Sequence, residues 1–230
     1  EMIEFLKSIG VKDISHQDTS LFESKHHNNS KKSIDIISHV HKIGIEMDGV
    51  YNHSEFARGK DPKTHIEKTE VLEAQGYQLL HVFSNEWYDP IKKEIWKSII
   101  RAKFGIIDQK LYARNCKVEE LEAKGVREFL DKNHLAGFSA ASQHLALIYN
   151  DEIVSVLSVG KSRFNEDNNE IIRFATKINM NIPGGFSKLL SKVNTEYRKN
   201  LYSYADRRIA TVNCAYTKFA DFVTKTPISW

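Results

Sequence analysis

Within residues 33–87, acids and imidazoles gather where short apolar runs end. Asp35 sits inside a run of isoleucines, and Ile43 and Ile45 lead into Glu46-Met47-Asp48-Gly49. His53, Asp61 and His65 follow within twenty residues. Side chains alternate faces along a strand, so Glu46 and Asp48 project together and Met47 projects oppositely. If the Asp35 strand pairs with theirs, three carboxylates can meet on one hard cation, Mg2+ or Mn2+. Such ions take oxygen ligands and retain several waters. A neutral His53 imidazole would accept a proton from an attacking water. The cation would polarise a phosphoryl oxygen and stabilise the leaving group. Those parts together describe phosphodiester hydrolysis.

Each of these residues taken singly has an ordinary explanation, since acids at strand ends and histidines near turns are common. The set is harder to dismiss. A carboxylate inside an apolar strand is costly to bury without a partner, and Glu46 and Asp48 share a face between Ile45 and Gly49. The elements that must position them read as strand, turn, strand, loop, helix, strand. The helix is expected over 69–75, with Val71 and Leu72 inward and Gly76 as its stop. Leu79, Leu80, Val82 and Phe83 form a short buried strand.

The run IGIEMDGVYNHSE, followed by KTEVLEAQGYQLLHVFSNEW, resembles the nuclease core of the EDxHD homing endonucleases. These are relatives of the very-short-patch-repair endonucleases within the PD-(D/E)XK superfamily. The resemblance covers roughly the first 110 residues. It implies a restriction-endonuclease-like mixed sheet with flanking helices, Mg2+ (or Mn2+) as cofactor and double-stranded DNA as substrate. Asp35, Glu46 and Asp48 would be the metal ligands, with His53, Asp61, His65 and Lys68 as further catalytic residues. It also implies an acid on a first helix, here Glu1 or Glu4. Asn52 stands where the family usually has Trp. Asp48 stands where many superfamily members carry a catalytic lysine, so that charge must come from elsewhere, and Lys68 is the candidate. A phage protein acting in the cytoplasm of an infected host cell is the setting implied.

Composition is compatible and does not decide the matter. The chain has 230 residues, 41% hydrophobic and 27% charged, with a net charge of +3, which is too small to identify a nucleic-acid partner alone. Local clusters say more. Lys25, Lys31, Lys32 and Lys42 surround Asp35 in sequence, and Arg58, Lys60, Lys63 and Lys68 surround the second part of the site. Lys31, Lys32, Arg58, Lys60 and Lys63 are therefore candidate phosphate contacts, against the plainer reading of a solvated surface. Cys116 and Cys214 lack metal-ligand spacing and fit a reducing compartment. No apolar run approaches the ~18 residues of a membrane span.

The remaining elements of the front half are a helix over 2–9, a polar connection over 17–32 and a helix over 90–103. The last presents Ile91, Ile95, Trp96, Ile99 and Ile100 on one face. A linker is expected over 104–114, dividing the chain into residues 1–112 and 113–230. The rear half reads as a helix over 120–133, strands over 143–149, 152–159 and 170–175, a helix over 188–198, a strand over 201–204 and a helix over 213–219. A short final strand would close an α/β layer.

The rear runs NHLAGF, SVGKSRF, IIRF, PGGFSKLL and SYADRR resemble GNAT-like domains found behind such nucleases in phage proteins, and the Mom-type DNA-modification acyltransferases. The resemblance implies a second α/β domain that positions DNA, with Arg207 and Arg208 as contacts. Two alternatives stay open. The rear domain could transfer an acyl group to a base, with Asp206 or His134 near the chemistry, or the chain could bind DNA without cutting it. Val212-Asn213 and Tyr216 replace the glycine and tyrosine that commonly follow the last motif, which weakens the acyltransferase alternative.

Overall fold

The computed structural model describes residues 1–22, 32–49, 63–162, 165, 167–210 and 221; the side chains of residues 63–65 are outside that description. The fold is mixed α/β, with two main sheets, a small two-stranded one and flanking helices. No described helix is long and apolar enough to cross a membrane.

The front half begins with helix α1 (Met2–Ser8) and strand β1 (Ser15–Asp18). Strands β2 (Ile34–Ser38) and β3 (Ile43–Asp48) follow as an antiparallel pair. Helix α2 (Lys63–Ala74) crosses over to β4 (Gln78–Phe83), which runs parallel to β3. The sheet order is β1-β2-β3-β4. A parallel neighbour requires a crossover, and α2 supplies it. Helices α3 (Ser84–Tyr88) and α4 (Pro90–Lys103) come next. The α4 start is written in the sequence: Asp89 caps the amides of Ile91 and Lys92, and Pro90 opens the first turn.

Two clusters pack on the two faces of this sheet, and β2 departs from regular alternation at its start, where Ile34 joins Ile37 and not Ile36. Ile36, Ile43, Ile45, Leu80 and Val82 pack with Met2, Phe5 and Leu6 of α1 and Ile95, Trp96 and Ile100 of α4. Each such fully buried side chain contributes about 1.5–3 kcal/mol of transfer free energy. The opposite face lies under α2, where Leu72 meets Ile34, Ile37 and Leu79. Gly44 permits that approach, because a Cβ there would lie 2.9 Å from Leu79 Cδ1 and 3.2 Å from Leu72 Cδ2.

The rear half is a five-stranded sheet in the order β11-β9-β8-β7-β6. After β5 (Gln109–Lys110) and a 3₁₀ turn at Ala113–Asn115 come β6 (Lys117–Glu120) and α5 (Ala123–Asn133). Strands β7 (Gln143–Tyr149), β8 (Glu152–Lys161) and β9 (Asn169–Thr176) form an antiparallel meander. They are followed by β10 (Met180–Asn181), α6 (Gly185–Leu190), α7 (Thr195–Arg198) and β11 (Leu201–Ser203), which pairs parallel with β9. Val126 and Leu130 of α5 cover one face with Ala146 and Val156. Leu189 and Ile182 cover the other with Leu145, Leu147 and Leu157.

Several elements differ from the sequence expectation. Ser-His-Gln-Asp at β1 carries no apolar signal, yet forms an edge strand because β2 offers unpaired backbone groups. Helix α2 begins six residues before the expected 69, through a polar stretch without apolar periodicity. The supposed linker over 104–114 contains β5, which pairs with β10 of the rear half, and buried Leu111 and Ala113. A connection that buries apolar side chains and completes a sheet belongs to the packing. The helix expected over 120–133 starts at Ala123, because Lys117–Glu120 pairs with β7 instead. The helix over 188–198 is two short helices separated around buried Val193. Ile91, expected inward, is exposed in the first turn of α4. The helix over 213–219 and the closing strand lie outside the described residues.

Candidate active site

Register brings the front acids together. Ile36 pairs with Ile45 and Ile37 with Gly44; beyond them Asp35 meets Glu46 and Met47 through side-chain hydrogen bonds. On the far side, Glu46 pairs with His81 of β4. Glu46 and His81 thus lie side by side on neighbouring strands, with Asp35 hydrogen-bonded next to Glu46 and Asp48 two residues along from it.

The cluster is hydrogen-bonded throughout. The Asp35 amide donates to Glu46 Oε1 at 3.3 Å, and the Met47 amide donates to Asp35 Oδ2 at 2.9 Å. Gln17 of β1 donates to Asp35 Oδ1 at 3.0 Å. Lys68 of α2 places Nζ 2.8 Å from Glu46 Oε2. Asp48 Oδ2 lies 2.9 Å from His81 Nδ1, and His81 Nε2 lies 2.9 Å from Thr69 Oγ1. Glu46, Asp48, His81 and Thr69 are all buried.

Burial pushes the Glu46 carboxyl above its ordinary range; Lys68 opposes that shift, and the charges of Asp35 and Asp48 add to it. The two aspartates are therefore close enough to act on Glu46 electrostatically. Lys68 reaches Glu46 from the helix and is its cationic partner.

Oxygen donors without thiolates suit a hard divalent cation. Among the described residues, however, no group of three or more histidine, cysteine, aspartate or glutamate side chains is arranged to hold a metal ion. Asp35 engages Gln17 and the Met47 amide, while Asp48 engages His81. Glu46 holds the Lys68 ammonium. The donor types fit Mg2+; the cation on Glu46 in this arrangement is Lys68.

Of the other candidates, His53, Asp61, Lys31, Arg58 and Lys60 lie outside the described residues. Lys63 and His65 belong to α2, with side chains outside the description. Lys32 pairs with Glu67 of α2. Glu1 pairs with Lys93, and Glu4 is exposed. Helix α1 packs on the face opposite the acids, so the structure does not bring the expected first-helix acid to Asp35.

Arg207 and Arg208 face acids of the front half. Arg207 lies 3.4 Å from Glu73 and 3.8 Å from Glu70. Arg208 lies 2.9 Å from Glu86 and 2.8 Å from Asp206, with its guanidinium 4.5 Å from the Phe83 ring centre. Glu86 also accepts from Trp96 Nε1 at 3.0 Å. The Arg208 carbonyl accepts the His81 amide at 3.2 Å, and the Ile209 carbonyl accepts from Gln78. Residues 206–210 therefore brace the outer edge of β4, and Arg208 is a largely buried bridge between the two halves.

In the rear half, His134 Nδ1 accepts the Ala136 amide at 3.1 Å. Burial lowers His134 to about 4; the Arg173 charge adds to that and Asp206 opposes it. The loop ahead of α6 turns at Gly184, whose φ is +79°. Its groups are engaged locally: the Gly185 amide donates to Ile182, and Pro183 accepts from the Ala113 amide. Lys188 donates to the carbonyls of Ala113 and Cys116.

Gln17 and His81 were not among the residues the sequence singled out; Thr69 was, beside Lys68, in the run that resembles the last nuclease segment. His81 did leave a trace, as the one polar residue within Leu79-Leu80-His81-Val82-Phe83. Comparison of the chain with protein families, curated proteins and solved structures gave no match.

Proposed function

We propose that this chain is a metal-dependent DNA endonuclease that hydrolyses phosphodiester bonds, with a homing-endonuclease-like front half on a restriction-endonuclease-like sheet. The observation that carries this reading is the hydrogen-bonded approach of Asp35 to Glu46 from adjacent strands, with Asp48 two residues along and Lys68 on Glu46. A lone buried acid is readily explained by one partner. A buried Glu46 with the charges of Asp35 and Asp48 acting on it is costly to the fold, and such arrangements concentrate at functional sites.

Asp35, Glu46 and Asp48 are the residues that would hold Mg2+ or Mn2+. Bound there, the ion would supply charge neutralisation at the phosphoryl oxygens and a more acidic water. The chain's own residues do the rest. Gln17 and the Met47 amide orient the Asp35 carboxylate, and Lys68 supplies the positive charge at Glu46. Lys68 also keeps Glu46 more acidic than burial alone would leave it. His53, Asp61 and His65 remain candidates for proton transfer, and Lys31, Lys32, Arg58, Lys60, Lys63 and Arg207 for phosphate contact.

The rear sheet, with its antiparallel meander and a parallel final pair, is compatible with a GNAT-like layout, and we assign it a supporting role in placing double-stranded DNA. Acyl transfer is the weaker alternative, because the Pro183–Gly185 loop makes its hydrogen bonds within the chain. The test is conversion of supercoiled plasmid to nicked or linear product with Mg2+ and with EDTA. Loss of cutting in Asp35→Ala with DNA binding retained supports the reading; full cutting by that variant refutes the assignment.

A further inference from the structure

His81 is buried in the middle of β4, between Asp48 of β3 and Thr69 of α2. With Asp48 ionised its carboxylate only accepts hydrogen bonds, and the 2.9 Å contact then assigns the proton to His81 Nδ1. In the neutral ring Nε2 then accepts, and the Thr69 hydroxyl is its donor. The line Thr69–His81–Asp48 fixes both the tautomer and the plane of the ring. It is anchored from outside as well, since the His81 amide donates to the Arg208 carbonyl and Arg208 is tied to Glu86.

We propose that His81 is a positioning residue for the site, fixing the direction of the Asp48 carboxylate, with Thr69 holding His81 in the donating tautomer. This rests on the reading of Asp35, Glu46 and Asp48 as the acids of the nuclease site. Histidine and hydroxyl groups behind a ligating carboxylate set its direction, and removing such a partner typically costs about 10–100-fold in metal affinity or activity. A histidine that only supports the sheet would change the stability of its variants without separating their Mn2+ affinities.

The two ring nitrogens can be replaced separately. In His81→Asn the amide nitrogen takes the place of Nδ1 and preserves the bond to Asp48. In His81→Gln it takes the place of Nε2 and loses that bond. Mn2+ binding to the DNA-free full chain, measured by calorimetry, and plasmid nicking are compared across both variants after thermal melting confirms that they fold. The expected result is Mn2+ affinity within about threefold of wild type for His81→Asn and a loss of at least about tenfold for His81→Gln. Thr69→Ser should behave as wild type, and Thr69→Val should follow His81→Gln. Equal losses in the two histidine variants, or none in either, would overturn the positioning role alone. A wild-type chain that neither binds Mn2+ nor nicks DNA would overturn the nuclease reading and this proposal with it. If both histidine variants fail to fold, the threonine pair decides: similar behaviour of Thr69→Ser and Thr69→Val overturns the proposal.

Discussion

Replacing Lys68 with methionine would keep most of the aliphatic stem and remove the ammonium 2.8 Å from Glu46 Oε2. Glu46 would remain buried on the sheet with the charges of Asp35 and Asp48 beside it. Removing one partner of a buried ion pair costs about 3–5 kcal/mol, because the other charge is left uncompensated. Both side chains here are mostly buried, Lys68 less so, with relative exposures of 14% and 5% for Lys68 and Glu46, which places the expected loss near about 3 kcal/mol. The sign with pH follows from Glu46. Its folded-state pKa is already raised, and loss of Lys68 raises it further. The folded variant therefore binds a proton that the unfolded chain releases, and its stability falls as pH rises above about 4.3. Urea unfolding followed by tryptophan fluorescence, at pH 5 and pH 7.5, measures the effect. The deficit relative to wild type should be larger at pH 7.5, and Glu46→Gln in the Lys68→Met background should remove most of the difference between the two pH values. A deficit that is the same at both pH values, or absent, would refute the electrostatic account of this pair.

Gly44→Ala should lower stability by about 1–3 kcal/mol, the usual cost of overpacking a filled core, seen as a lower urea midpoint. Its Cβ would press on Leu79, Ile34 and Leu72 together. His134, lowered to about 4 by burial, is protonated more readily in the unfolded chain. Wild-type stability should therefore fall as pH drops from about 6.5 toward 4, by up to about 3 kcal/mol. His134→Gln should show a shallower slope over that range. Arg208→Met should leave Glu86 without its cationic partner and lower the thermal midpoint by several degrees, about 2–4 °C per kcal/mol for a chain of this size. The matching Arg207→Met change, at a more exposed position, should cost less than about 1 kcal/mol.

The three acids were legible because each breaks a local pattern. Asp35 interrupts an isoleucine strand, and Glu46 and Asp48 end one on the same face. Lys68 was legible only as a candidate, since its helix begins in a polar stretch and nothing in the sequence states which way a helix lysine points. The Asp48–His81–Thr69 line was hidden for a different reason. Its members come from three elements, and only the parallel register of β3 with β4 places them side by side. β1 was hidden because an edge strand needs backbone partners more than apolar side chains. The bracing by Arg208 could not be read either: an arginine in a short polar motif carries the same sequence signal whether it faces DNA or a buried glutamate across the chain.

Plasmid nicking by wild type and Asp35→Ala, each with Mg2+ and with EDTA, bears most directly on the front-half acids as a nuclease site. Wild type should nick only with Mg2+, and Asp35→Ala should fail to nick under either condition while still retarding DNA in a gel. Cutting that persists in EDTA, or at full rate in Asp35→Ala, would contradict the assignment of chemistry to these residues.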